Sequence, residues 1–263
     1  MQPRNSSGLH VAYNPPLPFC FRRGHVWPQI TPMRTLEVCA GDLASAQAAA
    51  QGGAQRIELC SALELDGLTP SAETIEGARR IEGLKLHVLI RPREGDFVYD
   101  EAETDSMLRD IRLAHQLGAD GVVIGALTPD GDIDMPLCRR LVDAAQGMKV
   151  TFHRAFDHAR DPYQALEDII ALGCTRLLTS GQAPTAEAGI PLLRQLVLQA
   201  NGRIIIMPGA GVTPDNARRI LDATGATEIH GSLRSLHNGL LITDPVLVHQ
   251  TVLAISDPLG PPA

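Results

Sequence analysis

The sequence contains the stretch Lys149-Val150-Thr151-Phe152-His153-Arg154-Ala155-Phe156-Asp157. It begins with β-branched and aromatic residues, as a buried strand does, and it ends in the ionisable residues His153, Arg154 and Asp157. Parallel α/β sheets and barrels place their functional sites at the carboxyl ends of the strands. The stretch therefore predicts a buried parallel strand that leads into a functional site.

Four other apparent strands carry polar residues within or at the end of an apolar run. A single strand of this kind usually holds satisfied core residues, because buried polar groups generally find hydrogen-bond partners. Five strands with the same pattern indicate one common site instead. The residues on the other four strands are Glu37 and Cys39, Glu58 and Cys60, His87, Arg91 and Arg93, and His230 and Ser232.

Short apolar runs recur along the chain and alternate with segments of helical periodicity. A glycine stands in each joint between a helix and the next strand, where it supplies a left-handed helix end without a Cβ penalty. Eight strand–helix units predict an α/β fold, a (β/α)8 TIM-type barrel. A doubly wound sheet could hold the same units, but their even spacing favours a closed barrel. The runs lie at 35–40, 56–61, 85–91, 121–127, 149–156, 176–180, 203–208 and 228–233.

We expect one barrel domain over residues 34–256, flanked by two tails. Residues 1–33 carry six prolines, and this composition predicts a disordered N-terminal extension. Met33 directly precedes the ordered pattern and is a candidate initiator methionine. Residues 257–263 form the predicted C-terminal tail.

The composition excludes several classes of protein. The net charge of −7 is spread without long runs of one sign, which argues against a nucleic-acid binder. Five irregularly spaced cysteines do not resemble a secreted disulfide framework. No apolar run reaches the ~18–20 residues that a membrane span needs. We therefore expect a cytoplasmic homo-oligomer, a dimer, whose partner is a metal ion or a small anionic ligand, not nucleic acid or a membrane.

The first two predicted strands carry a repeated Glu-x-Cys pattern, at Glu37 and Cys39 and at Glu58 and Cys60. Side chains alternate along a strand, so each glutamate shares a face with its cysteine. Adjacent strands lie ~4.8 Å apart, and the equal offsets predict that the two thiols lie at similar depth. Two thiols so placed could bind a soft ion such as Cu(I). Alternatively, both cysteines are small buried hydrophobic residues.

The other polar residues suit acid/base chemistry on an anion. Carboxylates near histidines can act as acid and base with separated pKa values. The predicted catalytic residues are Glu37, Glu58, His87, His153 and Asp157. Guanidinium groups bind carboxylates and phosphates in bidentate fashion, and the loops after strands seven and eight often bind phosphate. The predicted anion-binding residues are Arg91, Arg93, Arg154, Gly209, Ala210, Gly211 and Ser232.

A structural alternative exists for the same charged residues. Glu37 and Glu58 could pair with Arg91 and Arg154 in a salt-bridge network that only fills the barrel. Such a network does not require so many histidines.

The chain resembles the CutC family, known as copper homeostasis proteins, over roughly residues 34–255. The resemblance implies a TIM-type barrel, a cytoplasmic location and copper handling through Cu(I), with Cys39 and Cys60 as the positions of a thiolate site. Residues 1–32 have no counterpart in the family pattern, and Cys138 and Cys174 receive no role. The matching motifs are 37–39, 56–61, 67–71, 90–93, 95–99, 127–131, 151–157, 178–181 and 205–209.

Two functions remain open at this point. In the first, the chain is a copper homeostasis protein whose two thiols bind Cu(I). In the second, it is a barrel enzyme that performs acid/base chemistry on a small anionic, possibly phosphorylated, metabolite. The arginine residues at the predicted mouth favour the second function, because a metal carrier has no evident need for them.

Overall fold

The computed structural model of the chain describes residues 34–237 and 239–256. The predicted extension 1–33 and the predicted tail 257–263 lie outside the described residues. Within the described part, none of the helices is long and apolar enough to cross a membrane.

Eight parallel strands alternate with eight helices, which confirms the predicted (β/α)8 TIM-type barrel. The strands are β1 (Thr35–Ala40), β2 (Arg56–Leu59), β3 (Lys85–Leu89), β4 (Gly121–Ile124), β5 (Lys149–Phe152), β6 (Arg176–Thr179), β7 (Ile205–Pro208) and β8 (Glu228–Gly231). The helices are α1 (Leu43–Gln51), α2 (Ala72–Arg79), α3 (Glu101–Gln116), α4 (Met135–Ala144), α5 (Pro162–Leu172), α6 (Ile190–Ala200), α7 (Pro214–Thr224) and α8 (Pro245–Ser256).

The strands follow one another around the barrel in chain order, and β1 also pairs with β8. Among the described residues, no hydrogen-bonded ladder joins β7 to β8, so the barrel is nearly closed. The antiparallel pair β9 (Arg234–His237) and β10 (Leu240–Thr243) follows β8. The eight strands predicted from the sequence did not include this pair.

The strand predicted from residue 149 onwards is shorter than expected. β5 ends at Phe152, and residues Arg154–His158 form a short 3-10 helix. The imidazole of His153 accepts a hydrogen bond from the backbone N–H of Ala155 (3.1 Å) at the start of this turn. The turn therefore separates the polar residues of the stretch instead of continuing the alternation of a strand.

The main hydrophobic core lies between the barrel wall and the surrounding helices. Along β1, Leu36, Val38 and Ala40 belong to this core. Glu37 and Cys39 occupy the alternate positions, and both contact residues of other strands across the barrel interior. The interior of many barrels is filled by branched aliphatic residues, whereas here charged, thiol and imidazole groups occupy much of it.

Gly173 ends α5 in the left-handed conformation, with φ of 85°. A Cβ at this position would have no atom within 4 Å, so any destabilisation by a side chain comes from the backbone conformation. We expect Gly173→Val to lower the free energy of unfolding by about 1–2 kcal/mol. Gly173→Asn should lower it less, because asparagine tolerates this conformation. Urea denaturation checks both values, and identical midpoints for wild type and Gly173→Val would contradict the helix-end assignment.

Candidate functional site

A pocket of about 360 Å³ opens at the carboxyl ends of the strands. This volume lies in the range of small-molecule sites. Of the residues predicted from the sequence, the pocket is lined by Cys39, Glu58, Arg91, His153, Arg154, Ala210, Gly211, His230 and Ser232. The mouth of the barrel therefore brings together residues from both predicted functions.

The two predicted metal-ligand cysteines are in contact, with their Sγ atoms 3.6 Å apart. Their depths differ, however, so the prediction of similar depth is wrong. The strand register pairs Cys39 with Glu58, not with Cys60, because the strands of a closed barrel are staggered. Cys39 lines the pocket, whereas Cys60 is fully buried and lies 3.5 Å from the carbonyl oxygen of Ala40.

His230 connects the thiol pair to both glutamates. Its Nδ1 lies 2.9 Å from Oε1 of Glu37, and its Nε2 lies 3.6 Å from Oε2 of Glu58. One potential ligand atom from each of Cys39, Glu58 and His230 lies within 4.8 Å of the other two. The carboxylate of Glu37 therefore orients the imidazole so that its second nitrogen faces a group of possible ligands.

Burial and mutual contact shift the pKa values in this group. The pKa of Cys39 is raised by its contact with Cys60 and by burial. Burial also raises the pKa of Glu58, and His230 opposes that shift. For His230, burial acts to lower the pKa, but the contacts with Cys39 and Glu37 outweigh it and the pKa is raised. These shifts favour a protonated cluster whose protons a bound cation would have to displace.

A salt-bridge network lies behind the pocket, but its arginines differ from those expected. Arg56 donates to Glu37 and to Glu228, and Nε of Arg176 lies 2.7 Å from Oε2 of Glu228. Burial raises the pKa of Glu37, but Arg56 and His230 outweigh it, and the pKa is held well below its usual range. The alternative in which Glu37 and Glu58 pair with Arg91 and Arg154 is therefore wrong.

His87 belongs to this network and does not line the pocket. Its Nδ1 lies 3.7 Å from Oε2 of Glu37 and has no hydrogen-bond partner. Burial lowers the pKa of His87 to about 4. The imidazole is therefore neutral at physiological pH, and together with Glu37 it lies beneath the pocket.

Arg91 and Arg93 follow β3 but occupy different surroundings. Arg91 is buried and lines the pocket. Arg93 does not line it, and its guanidinium donates to Glu103 (2.5 Å), Asp96 (2.9 Å) and the carbonyl oxygen of Val98 (2.7 Å). Arg93 thus stabilises the loop before α3.

Asp157 also lies outside the pocket lining. Its carboxylate accepts hydrogen bonds from Nε of Arg154 (2.8 Å), from the backbone N–H of Ser180 (3.1 Å) and from the backbone N–H of Gln182 (3.2 Å). Asp157 therefore joins the turn after β5 to the loop after β6 and orients Arg154, which does line the pocket.

The loops after β7 and β8 contribute several small residues to the pocket. Ala210 and Gly211 both have positive φ, 84° and 68°, and both line the pocket with Ser232. Gly209 does not line it, and a Cβ there would come within 2.6 Å of Leu178. At Gly211 the absence of a side chain lets the backbone approach a ligand closely.

Ten residues that the sequence analysis did not select as site residues also line the pocket. Phe97 lies in the loop between β3 and α3, where aromatic and charged residues indicate a binding segment. The others had no comparable signal in the sequence. The ten are Leu63, Asp66, Gly67, Leu89, Phe97, His158, Leu178, Val212, Gly231 and Arg234.

Comparisons with known proteins agree with this geometry. The CutC family model matches residues 34–235. A CutC family protein from Bacteroides thetaiotaomicron is 55% identical over 199 residues, which cover 75% of this chain and 80% of that protein. One from Chromobacterium violaceum is 53% identical over 201 residues, 76% of this chain and 81% of that protein.

Solved structures show the same relationship. The copper homeostasis protein CutC from Streptococcus agalactiae is 36% identical, covers 76% of this chain and 99% of its own, and superposes with a TM-score of 0.73. Phosphoribosylanthranilate isomerase from Thermotoga maritima, at 15% identity and a TM-score of 0.56, shares the fold alone. The family match and the identity to these relatives show that the chain belongs to the CutC family.

Proposed function

We propose that the chain binds Cu(I) at the mouth of the barrel, with the thiols of Cys39 and Cys60 and the imidazole of His230 as ligands. The observation that carries the proposal is the 3.6 Å contact between the two sulfur atoms beside His230. Thiolate and imidazole groups are ligands that suit copper. The solved relative from Streptococcus agalactiae is a copper homeostasis protein, which supports the same ion.

The surroundings of His230 fit this role. Metal-binding histidines generally donate their second ring N–H to a carboxylate, which fixes the orientation of the ring. The carboxylate of Glu37 stands 2.9 Å from Nδ1 of His230, so Nε2 is left to face the ion. Because the pKa values of Cys39 and His230 are raised, binding should release protons, and Cu(I) affinity should increase with pH.

Replacement of both thiols should abolish stoichiometric Cu(I) binding. The background chain carries Cys20→Ser, so that the thiol of Cys20 cannot bind the ion. In this background we expect Cys39→Ser and Cys60→Ser to remove the site, because a neutral hydroxyl is a poor ligand for a soft ion. Competitive titration against a chromophoric Cu(I) chelator in the absence of oxygen measures the affinity. Circular dichroism verifies that the barrel remains folded.

A matched control changes the same number of buried thiols elsewhere. Cys138 and Cys174 are buried, at 0% and 4% exposure, and neither lines the pocket. The pair Cys138→Ser and Cys174→Ser in the same background should leave the Cu(I) affinity unchanged. Equal affinities for the two double variants would eliminate Cys39 and Cys60 as ligands.

The same pocket supports acid/base chemistry on a small anionic metabolite as a second function. Glu58 and His230 lie 3.6 Å apart, and the pKa of each is raised, so the pair can hold a proton for transfer to a ligand. An enzyme of this kind needs a place for the anion in the pocket. Arg91, just after β3, and His153, just after β5, have the donors that such a place requires.

A further inference from the structure

Arg91 is a buried cation that has no anionic partner among residues 34–237 and 239–256. It is 5% exposed, and its two terminal nitrogens donate to the carbonyl oxygens of Leu65 (3.0 Å), Gly67 (3.2 Å) and Gly95 (3.0 Å). Its Nε has no hydrogen-bond partner. Buried charges are normally paired, because an isolated charge is expensive to remove from water.

The phenol of Tyr99, which lies near Arg91, does not neutralise it. Tyr99 is buried and its hydroxyl has no hydrogen-bond partner. Burial raises the pKa of Tyr99 to about 12, so the phenol carries no charge. Arg56, in the same barrel, contacts two carboxylates. Arg91 contacts no carboxylate in the described part of the chain.

His153 presents a second unused donor to the pocket. The backbone N–H of Ala155 donates to its Nδ1 (3.1 Å), so the proton of the neutral ring is on Nε2. Burial and the nearby Arg91 lower the pKa of His153 to about 3, which keeps the ring neutral. Nε2 has no partner in the described part of the chain, and the residue is 5% exposed. His153 is thus held as a hydrogen-bond donor and is not available as a base.

Both groups line the same pocket and contact the same aromatic ring. The Phe97 centroid lies 5.1 Å from that of His153 and 5.0 Å from Cζ of Arg91. The apolar residues Leu89 and Leu178 line other parts of the pocket. Nε of the buried Arg91 and Nε2 of His153 are both donors without an acceptor, and both residues line a pocket of about 360 Å³. These two donors call for an acceptor from outside the chain.

We propose that Arg91 and His153 bind the oxyanion group, a carboxylate or a phosphate, of a small molecule in the pocket. The negative group would accept from Nε of Arg91 and from Nε2 of His153, and it would neutralise the buried guanidinium. The proposal names the class of ligand, a small anion, for the acid/base function given above as the second function. Binding of the anion does not depend on that function; only a catalytic role for the site does. The Cu(I) ligands lie on or just after β1, β2 and β8, so anion binding does not depend on them.

The experiment uses the full chain and three simple probes: acetate, inorganic phosphate and the neutral acetamide. Isothermal titration calorimetry and ¹H–¹⁵N spectra of the histidine side chains report binding. We expect saturable binding of acetate, of phosphate or of both, with a downfield shift of the His153 Nε2–H signal, and no response to acetamide. A response to one anion identifies the group, and a response to both supports the shared oxyanion site.

The variant His153→Asn tests the donor directly. Its side-chain oxygen can still accept from the N–H of Ala155, but its amide N–H group ends short of the position of Nε2 and does not replace that donor. We expect about 10- to 150-fold weaker anion binding, because a hydrogen bond to a charged group is lost. Arg91→Lys keeps the charge but loses Nε and should weaken binding similarly. His115→Asn changes an exposed histidine on α3 that does not line the pocket and should leave affinity within about twofold.

Three results would overturn the proposal: no saturable response to either anion, equal affinity in wild type and His153→Asn, or no change at the His153 Nε2–H signal. The last measurement needs no variant, so it holds even if a substitution impairs folding. The same titrations in the Cys39→Ser, Cys60→Ser chain should show unchanged anion binding. Failure of the anion site therefore leaves the Cu(I) result intact, and failure of the Cu(I) site leaves the anion result intact.

Discussion

Arg56→Met should lower the free energy of unfolding by about 3–5 kcal/mol. Arg56 is 5% exposed and pairs with two carboxylates, Glu37 and Glu228. Methionine fills a similar volume but leaves Glu37, which is fully buried, without its guanidinium partner. Glu228 retains Arg176, so Glu37 should account for most of the loss. Urea denaturation at neutral pH measures the change.

Two further variants distinguish the effect of leaving a buried charge unpaired from the effect of losing any arginine. Arg140 forms a bidentate but exposed pair with Glu101 (3.0 and 2.8 Å), and Arg140→Met should lower stability by no more than about 1 kcal/mol. Adding Glu37→Gln to Arg56→Met should restore part of the lost stability, because the uncompensated charge is removed. If Arg56→Met and Arg140→Met destabilise the chain equally, the buried network does not contribute as described.

Stability should fall steeply as the pH drops from about 6.5 towards 4, because two buried histidines resist protonation. An unfolded chain takes up a proton on each histidine below about pH 6.5. The folded chain does not do so until the pH approaches the lowered pKa values, about 4 for His87 and about 3 for His153. Proton uptake by the unfolded state therefore reduces the free energy of unfolding by up to about 1.4 kcal/mol per pH unit for each residue.

The contribution of His87 can be isolated by substitution. His87→Gln should make the slope between about pH 6.5 and 4 shallower by up to about 1.4 kcal/mol per unit, whatever its effect on stability at pH 7. His249→Gln removes a histidine that is exposed on α8, and we expect it to keep the wild-type slope. Glu58, with its raised pKa, changes the slope of stability against pH in the opposite sense. The effect of His87 is therefore read from the difference in slope between the variant and the wild type. An unchanged slope in His87→Gln would contradict a buried neutral imidazole.

The fold could be predicted from the sequence because its signals are local. Each apolar run and each glycine joint marks one strand–helix unit, and eight such units leave few architectures. The β9–β10 pair was missed although its signal was present: Asn-Gly at 238–239 stands between Leu236 and Leu240, and this dipeptide between apolar residues favours a hairpin.

The site could be predicted only in part, because its contacts depend on register. Alternation along β1 correctly placed Glu37 and Cys39 in the barrel interior. The same rule applied two residues before Glu58 and before His230 would have found Arg56 and Glu228, which form the buried network with Glu37. The stagger between β1 and β2, however, is set by barrel closure and has no local signal. Likewise, the proton on Nε2 of His153 follows from the backbone turn at Ala155.

The pairing of the first strand with the last has a consequence for how the chain folds as it is synthesised. Glu37 reaches His230 across 193 positions, and Arg56 reaches Glu228 across 172. While the ribosome is still making the helices in between, the charges on β1 and β2 lack their partners on β8 and stay hydrated. A half-barrel could pair Arg56 with Glu37, but without His230 and Glu228 it would bury these charges only partly compensated, which is unfavourable. Closure of the barrel therefore awaits β8, and the charge network commits the chain to its native state only when nearly all of it has emerged.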